Sequence, residues 1–292
     1  MHTYQNSIGF GNLKSHEDMD LIIRNTVLHF DEKHIFRTEN NAIYGEFSKE
    51  YGDRFGMKVC GEFTDSGNFY PEYSVPYLVG NTVSMVQETE FERHAGREAY
   101  AGVAEDPRVG ATIIFYMINM GEMQNRKETG PLPKDPIKVY LSGLAREGEI
   151  LLPVMKTPHD EEVYQKHQEE YFKLLSEAQN GDESAMEALS TEEMEDYNLV
   201  TKRLQNEDVF SIVDSCFLPY GVECDQYSIC GNICSCKQVM NEATAERLYK
   251  MEIEACDLYF DIIINAKDLT GEPEVGRRFR GLLWLQGYAE LS

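Results

Sequence analysis

The chain has 292 residues, a hydrophobic fraction of 42% and a formal net charge of −24. That is enough apolar material for a core, and a surface this negative repels phosphate backbones, so nucleic acid and anionic membrane are poor partners. The longest uncharged apolar stretch, Val109–Gly121, is shorter than the ~20 residues a membrane helix needs. No basic start followed by an apolar run marks an export signal. Seven cysteines, an odd number, then suit reduced thiols in a cytoplasm better than a disulfide framework.

In chain order, Ser15 and Asp18 form a capping signal, and Met19, Ile22, Ile23, Thr26, Val27 and Phe30 recur at helical spacing, which predicts a helix packed on a sheet. Short β-branched and aromatic runs follow: Ile35–Thr38 and Ala42–Tyr51 around an Asn40–Asn41 turn, then Arg54–Phe63. Pro71 and Pro76 mark an edge strand or loop, because proline removes a ladder donor. Further strands are expected at Met85–Arg93, Glu98–Ala104 and Val109–Met120, the last apolar on both parities. Ile137–Leu141 and Ile150–Val154 read as two strands joined at Glu147–Gly148.

Beyond Pro158 the pattern turns helical. Val163, His167, Tyr171, Leu174, Leu175 and Ala178 form one stripe, stopped by Asn180–Gly181. A short helix over Glu183–Leu189 follows, and Ser190 with Glu193 caps another. Asp160–Asp208 holds 15 acids against 4 Lys/Arg, a net of −11, which reads as solvated helix faces. Strands return at Val209–Phe217, Gln226–Val239, Tyr249–Ile264 and Phe279–Leu291, with a parity switch that predicts a bulge near Cys256–Asp257.

The two β-rich regions share ordered landmarks: Tyr51–Gly52 with Tyr220–Gly221, Cys60–Gly61 with Cys230–Gly231, Ile114–Asn119 with Phe260–Asn265, and Val139–Ala145 with Leu283–Ala289. The fold expected from this is α+β, two similar helix-plus-antiparallel-sheet units related by internal duplication and joined by acidic helices. The expected divisions are a first unit at 1–156, a connector at 157–189 and a second unit at 190–292.

Two clusters invite chemistry. Arg277, Arg278 and Arg280 lie between Gly276 and Gly281, and guanidinium groups suit carboxylate or phosphate. They are anion-binding candidates, set against internal pairing with the plentiful acids. Cys224, Cys230, Cys234 and Cys236 offer a zinc alternative, but same-parity strand positions stand ~6–7 Å apart, which is wide for one tetrahedral site. Buried cysteines acting as small apolar residues explain the same pattern, so no metal and no cofactor are expected. His94, beside Glu92 and Glu98, reads as an ordinary surface or ion-paired histidine. There is no H-E-x-x-H, P-loop, G-x-G-x-x-G or G-x-S-x-G; Gly9–Phe10–Gly11 is a fragment only. No catalytic residue is named.

Pro219–Ser228, Gly271–Pro273, Gly276–Gly281, Trp284–Gly287 and Ser7–Phe10 together resemble a bacterial family of anaerobic Gram-positive organisms, of about this length, known as a domain of unknown function. The resemblance spans nearly the whole chain and carries over no activity and no functional residues. The expectation is a non-catalytic cytoplasmic binding or interaction protein. The alternatives are an enzyme or sensor binding a small anionic ligand in a cleft between the units, and a zinc-stabilised module. The expected partner is accordingly a protein or a small anion, with neither nucleic acid nor membrane.

Overall fold

Ser15 accepts a hydrogen bond from the Asp18 N–H, and the Asp18 carboxylate accepts one from the Ser15 N–H, both 3.1 Å. This reciprocal cap starts helix α1, His16–Leu28, as the sequence predicts. The structure is a computed structural model that describes residues 4–13, 15–38, 40–94, 97–129, 136–153, 171, 173–178, 182, 184–191 and 214–291. A 3-10 turn, Asn6–Ile8, precedes α1. Met19 and Thr26 of α1 are buried, and the Thr26 hydroxyl meets the Tyr51 hydroxyl at 3.2 Å, holding the helix over its sheet.

Four strands follow as an antiparallel meander: β1 (Glu32–Arg37), β2 (Ile43–Gly52), β3 (Phe55–Phe63) and β4 (Phe69–Leu78). Asn41, at φ 67°, makes the predicted β1–β2 turn. β4, which holds Pro71 and Pro76, lies at a sheet edge, where a missing N–H is tolerated.

Among the described residues the larger sheet has eleven strands: β5 (Met85–Gln87), β6 (Glu90–Arg93), β7 (Tyr100–Asp106), β8 (Ala111–Met117), β9 (Ile137–Leu151), β10 (Cys216–Pro219), β11 (Gln226–Met240), β12 (Arg247–Ala255), β13 (Leu258–Asn265), β14 (Leu269–Thr270) and β15 (Arg278–Ala289). Helix α2, Met120–Thr129, follows β8. Five of these strands close a ring. β11 pairs with β12, β12 with β13, β13 with β9 in parallel, β9 with β15, and β15 returns to β11.

Ring closure explains where the apolar residues go. Ile262 and Ile264 join one fully buried cluster with Leu141, Ile253, Phe260, Phe279, Leu283 and Leu285. Ile263, on the opposite parity, joins a second cluster with Leu144, Leu248, Tyr51, Phe55, Met57 and Leu78 of the small sheet. β13 is thus covered on both faces, which accounts for its near-continuous apolar run. Each isoleucine so buried stabilises by ~1.5–3 kcal/mol.

The α+β expectation is corrected here. Among the described residues the fold is mostly β, 52% strand against 17% helix. The two β-rich regions are not separate helix-plus-sheet units, because β9 of the first lies between β13 and β15 of the second. Val139–Ala145 and Leu283–Ala289 pair with each other, antiparallel and centred on Ser142 opposite Gln286. β8 and β13, which hold the other matched pair, run parallel to β15 and β9 respectively. Tyr51 is buried in the small sheet, whereas Tyr220 is 46% exposed.

Smaller corrections have local causes. Cys256 and Asp257, at φ 54° and 58°, form a two-residue hairpin turn rather than a bulge, and a turn reverses parity as a bulge does. The two strands expected around Glu147–Gly148 are one strand, β9, with its irregularity at Arg146. Met85–Arg93 splits into β5 and β6, which pair with β9 and β7. Met120 begins α2 instead of ending a strand.

The chain divides into two compact units, Met1–Leu151 with Ser215–Ser292, and Leu152–Asp214. In the second unit, residues 173–178 and 184–191 are helical. Ala178, Ala185 and Leu189 are buried there with Tyr171, Leu174 and Leu175 packed against them. The Asp182 side chain accepts N–H bonds from Ser184 and Ala185, capping the later helix. Val163, His167, the Asn180–Gly181 stop and Glu193 lie outside the described residues.

Candidate functional site

β15 alternates. Phe279, Gly281, Leu283 and Leu285 are buried, while Arg280, Leu282 and Trp284 on the other parity are only partly covered. The register carries that second face across the sheet. Cys216 of β10 stands opposite Cys230 of β11, Cys230 opposite Arg280, Arg280 opposite Glu149 of β9, and Glu149 beside Thr270 of β14. Opposite residues share a face, so these five side chains form one row across five strands. Leu218, Ser228, Leu282 and Glu147 form the next row.

Over these rows lies a cleft of about 420 Å³, lined by Glu147, Glu149, Tyr220, Ser228, Thr270, Arg280 and Leu282. It belongs wholly to the larger unit. At Gly281 an added Cβ would stand 2.5 Å from the Glu147 carbonyl, so glycine lets β15 and β9 approach here.

The charge in the cleft is mixed. Arg280 Nη1 donates to Glu149 Oε1 at 2.7 Å, and Glu147 adds a second carboxylate. One guanidinium faces two acids, a net of about −1. The three arginines do not converge. Arg277 pairs with Glu274 at 2.9 Å and donates to the Glu272 carbonyl. Arg278 is 4% exposed at the start of β15, opposite Leu151 and Asn232. Only Arg280 lines the cleft.

A family model described as "Domain of unknown function, E. rectale Gene description (DUF3881)" matches residues 5–287. The chain belongs to this family. No curated protein and no solved structure matches it. Every residue of the cleft falls inside the matched span.

Next along β15, Trp284 donates from Nε1 to Asp225 Oδ2 at 2.6 Å. Burial raises the Asp225 carboxyl above its usual range, against the relief that this hydrogen bond gives. The Tyr4 ring lies 5.6 Å from Trp284 and that of Tyr116 5.0 Å. His94 lies 6.4 Å from Tyr116, and its Nε2 is buried without a hydrogen-bond partner among the described residues. Glu98, one of the carboxylates beside it in sequence, binds Arg93.

The four cysteines of the zinc alternative are dispersed. Cys224 and Cys234 are exposed, Cys230 is buried and Cys236 is partly covered. Among the described residues no three His, Cys, Asp or Glu side chains are grouped to hold a metal ion. Burial raises the Cys234 and Cys236 thiols.

Glu147, Glu149, Tyr220, Ser228, Thr270 and Leu282 are absent from the sequence-derived candidates. The alternation of β15 groups Arg280, Leu282 and Trp284 on one face, a signal legible in the sequence. Which strands flank β15 is not written locally.

Proposed function

We propose that the chain is a non-catalytic binding protein of the cytoplasm whose cleft over β9, β11 and β15 accepts a basic segment of a partner protein. The observation that carries this reading is the Arg280–Glu149 pair. Among the described residues the only cation lining the cleft is already matched by a carboxylate at 2.7 Å, with Glu147 in surplus. A small anion entering there would have to displace Glu149, whereas a Lys or Arg side chain would add to the pair. The volume suits a side chain or a short turn. The net charge of −24 favours a basic partner at long range, in a salt-dependent way. Seven reduced cysteines fit a reducing compartment, and no helix among the described residues is long and apolar enough to cross a membrane.

The test is fluorescence anisotropy with a labelled Lys/Arg-rich peptide, alongside calorimetric titration with inorganic phosphate. The peptide is expected to bind, more weakly at higher salt, and Glu147→Gln to weaken it by about fivefold, as one partly solvated charge does. Phosphate binding that Arg280→Ala abolishes, with no peptide binding, would overturn the reading in favour of a small-anion site.

A further inference from the structure

Cys216 and Cys230 stand directly opposite each other on the edge strand β10 and its neighbour β11. Both are reduced thiols. The phase of the ladder is set by Tyr220, whose N–H donates to the Gln226 carbonyl at 2.8 Å. Bonded pairs recur at every second position, so Leu218–Ser228 and Cys216–Cys230 are also of the hydrogen-bonded kind. Such pairs have Cα atoms about 5.5 Å apart, inside the range that a disulfide spans. On the other edge of β11, Leu285 donates to the Asp225 carbonyl at 2.8 Å, which makes Cys230–Arg280 a non-bonded pair with closely facing side chains. The thiols therefore adjoin the guanidinium that lines the cleft.

We infer that Cys216 and Cys230 form a modification site, a cross-strand dithiol that a peroxide closes to a disulfide. Cys216, partly exposed at the sheet edge, is the residue the oxidant reaches, and Cys230, fully buried behind it, is the one that resolves. In the first step the Cys216 sulfur attacks one peroxide oxygen and the O–O bond breaks. This leaves Cys216 sulfenic acid and one water. In the second step the Cys230 sulfur attacks the Cys216 sulfur, forms the S–S bond and expels the sulfenic oxygen as a second water. Two thiols lose two electrons and two protons, and one hydrogen peroxide becomes two waters. Cys216 stands opposite Cys230, whose backbone hydrogen-bonds its thiol, and is faced by Arg280 and, from the β12–β13 turn, Cys256. Burial raises its thiol despite Arg280, so closure is slow at neutral pH and speeds up as pH rises. The link fastens β10 to the ring and fixes one end of the row that holds Arg280 and Glu149. It does not depend on the basic-segment reading of the cleft.

The experiment treats the full chain with hydrogen peroxide, blocks remaining thiols and maps disulfides by mass spectrometry. A peptide pair joined through Cys216 and Cys230, lighter by two hydrogens, is the expected product. Amide exchange along β10 should then slow by about tenfold and revert on reduction. Cys230→Ser should leave Cys216 as sulfenic or higher oxides. The inference is overturned if Cys216 joins Cys256 instead, or if Cys224 and Cys234 oxidise fully while the Cys216–Cys230 link never forms. Peptide and phosphate titrations of the oxidised chain report on the cleft separately, so failure of either idea is distinguishable.

Discussion

Arg278 and Arg280 stand two residues apart on one face of β15 and meet different surroundings. Arg280 pairs with Glu149, and both side chains are over 40% exposed. Solvent screens such a pair, and its removal costs under ~1 kcal/mol. Arg278 is 4% exposed, and a buried guanidinium has to be matched by partners that its loss would strand. Arg278→Ala should therefore destabilise by about 2–4 kcal/mol, and Arg280→Ala and Arg277→Ala by less than ~1. Urea unfolding of the three variants checks this, and equal losses for Arg278 and Arg280 would contradict it. The sequence presents three alike arginines between two glycines; burial, set by distant strands, separates them.

At the scale of elements, the β12–β13 hairpin shows what sequence pattern carries and what it loses. The change of parity between Ala255 and Leu258 is real and marks the correct two residues. Pattern alone does not separate a bulge from a tight turn, since both shift the alternating face by the same count. The turn puts Cys256 and Asp257 at positive φ, where an L side chain crowds its own backbone. Asp257→Gly should stabilise by ~0.5–1 kcal/mol, because Gly adopts that conformation without penalty and keeps the carbonyl that accepts from Arg108 Nη1 at 2.9 Å. A fall in the thermal midpoint would instead show that the Asp257 side chain matters more than its backbone. The start of α1 is legible because its cap is local, whereas Phe30 of the expected stripe lies past the helix end and is 40% exposed. α2 is not legible, because its ten residues have little apolar periodicity and follow an apolar strand without a break.

For the whole molecule the decisive fact is the ring, whose pairings join residues far apart in sequence. β9 bonds to β13 and β15 across the intervening Leu152–Asp214 unit. No local signal announces such a partner, so individual strands could be read while their order could not. High sequence separation also means loop-closure entropy opposes folding until late, and folding in the millisecond-to-second range is expected. A chain ending before Arg278 lacks β15, which opens the ring at both β9 and β11 and removes Phe279, Leu283 and Leu285 from the main cluster. That truncation should lose cooperative unfolding and bind a hydrophobic dye, whereas a sharp thermal transition would show that the remaining strands suffice.

The same ring gives ribosomal synthesis an awkward order. β9 leaves the exit tunnel as fifteen residues that, beyond the short pairing of Ile137–Val139 with β5, need strands made later. Translation at ~5–20 residues per second puts β15 roughly 6–25 s behind it. Through that interval an apolar strand waits exposed, which is where a nascent-chain chaperone would hold on and where crowded overexpression would send the product into inclusion bodies.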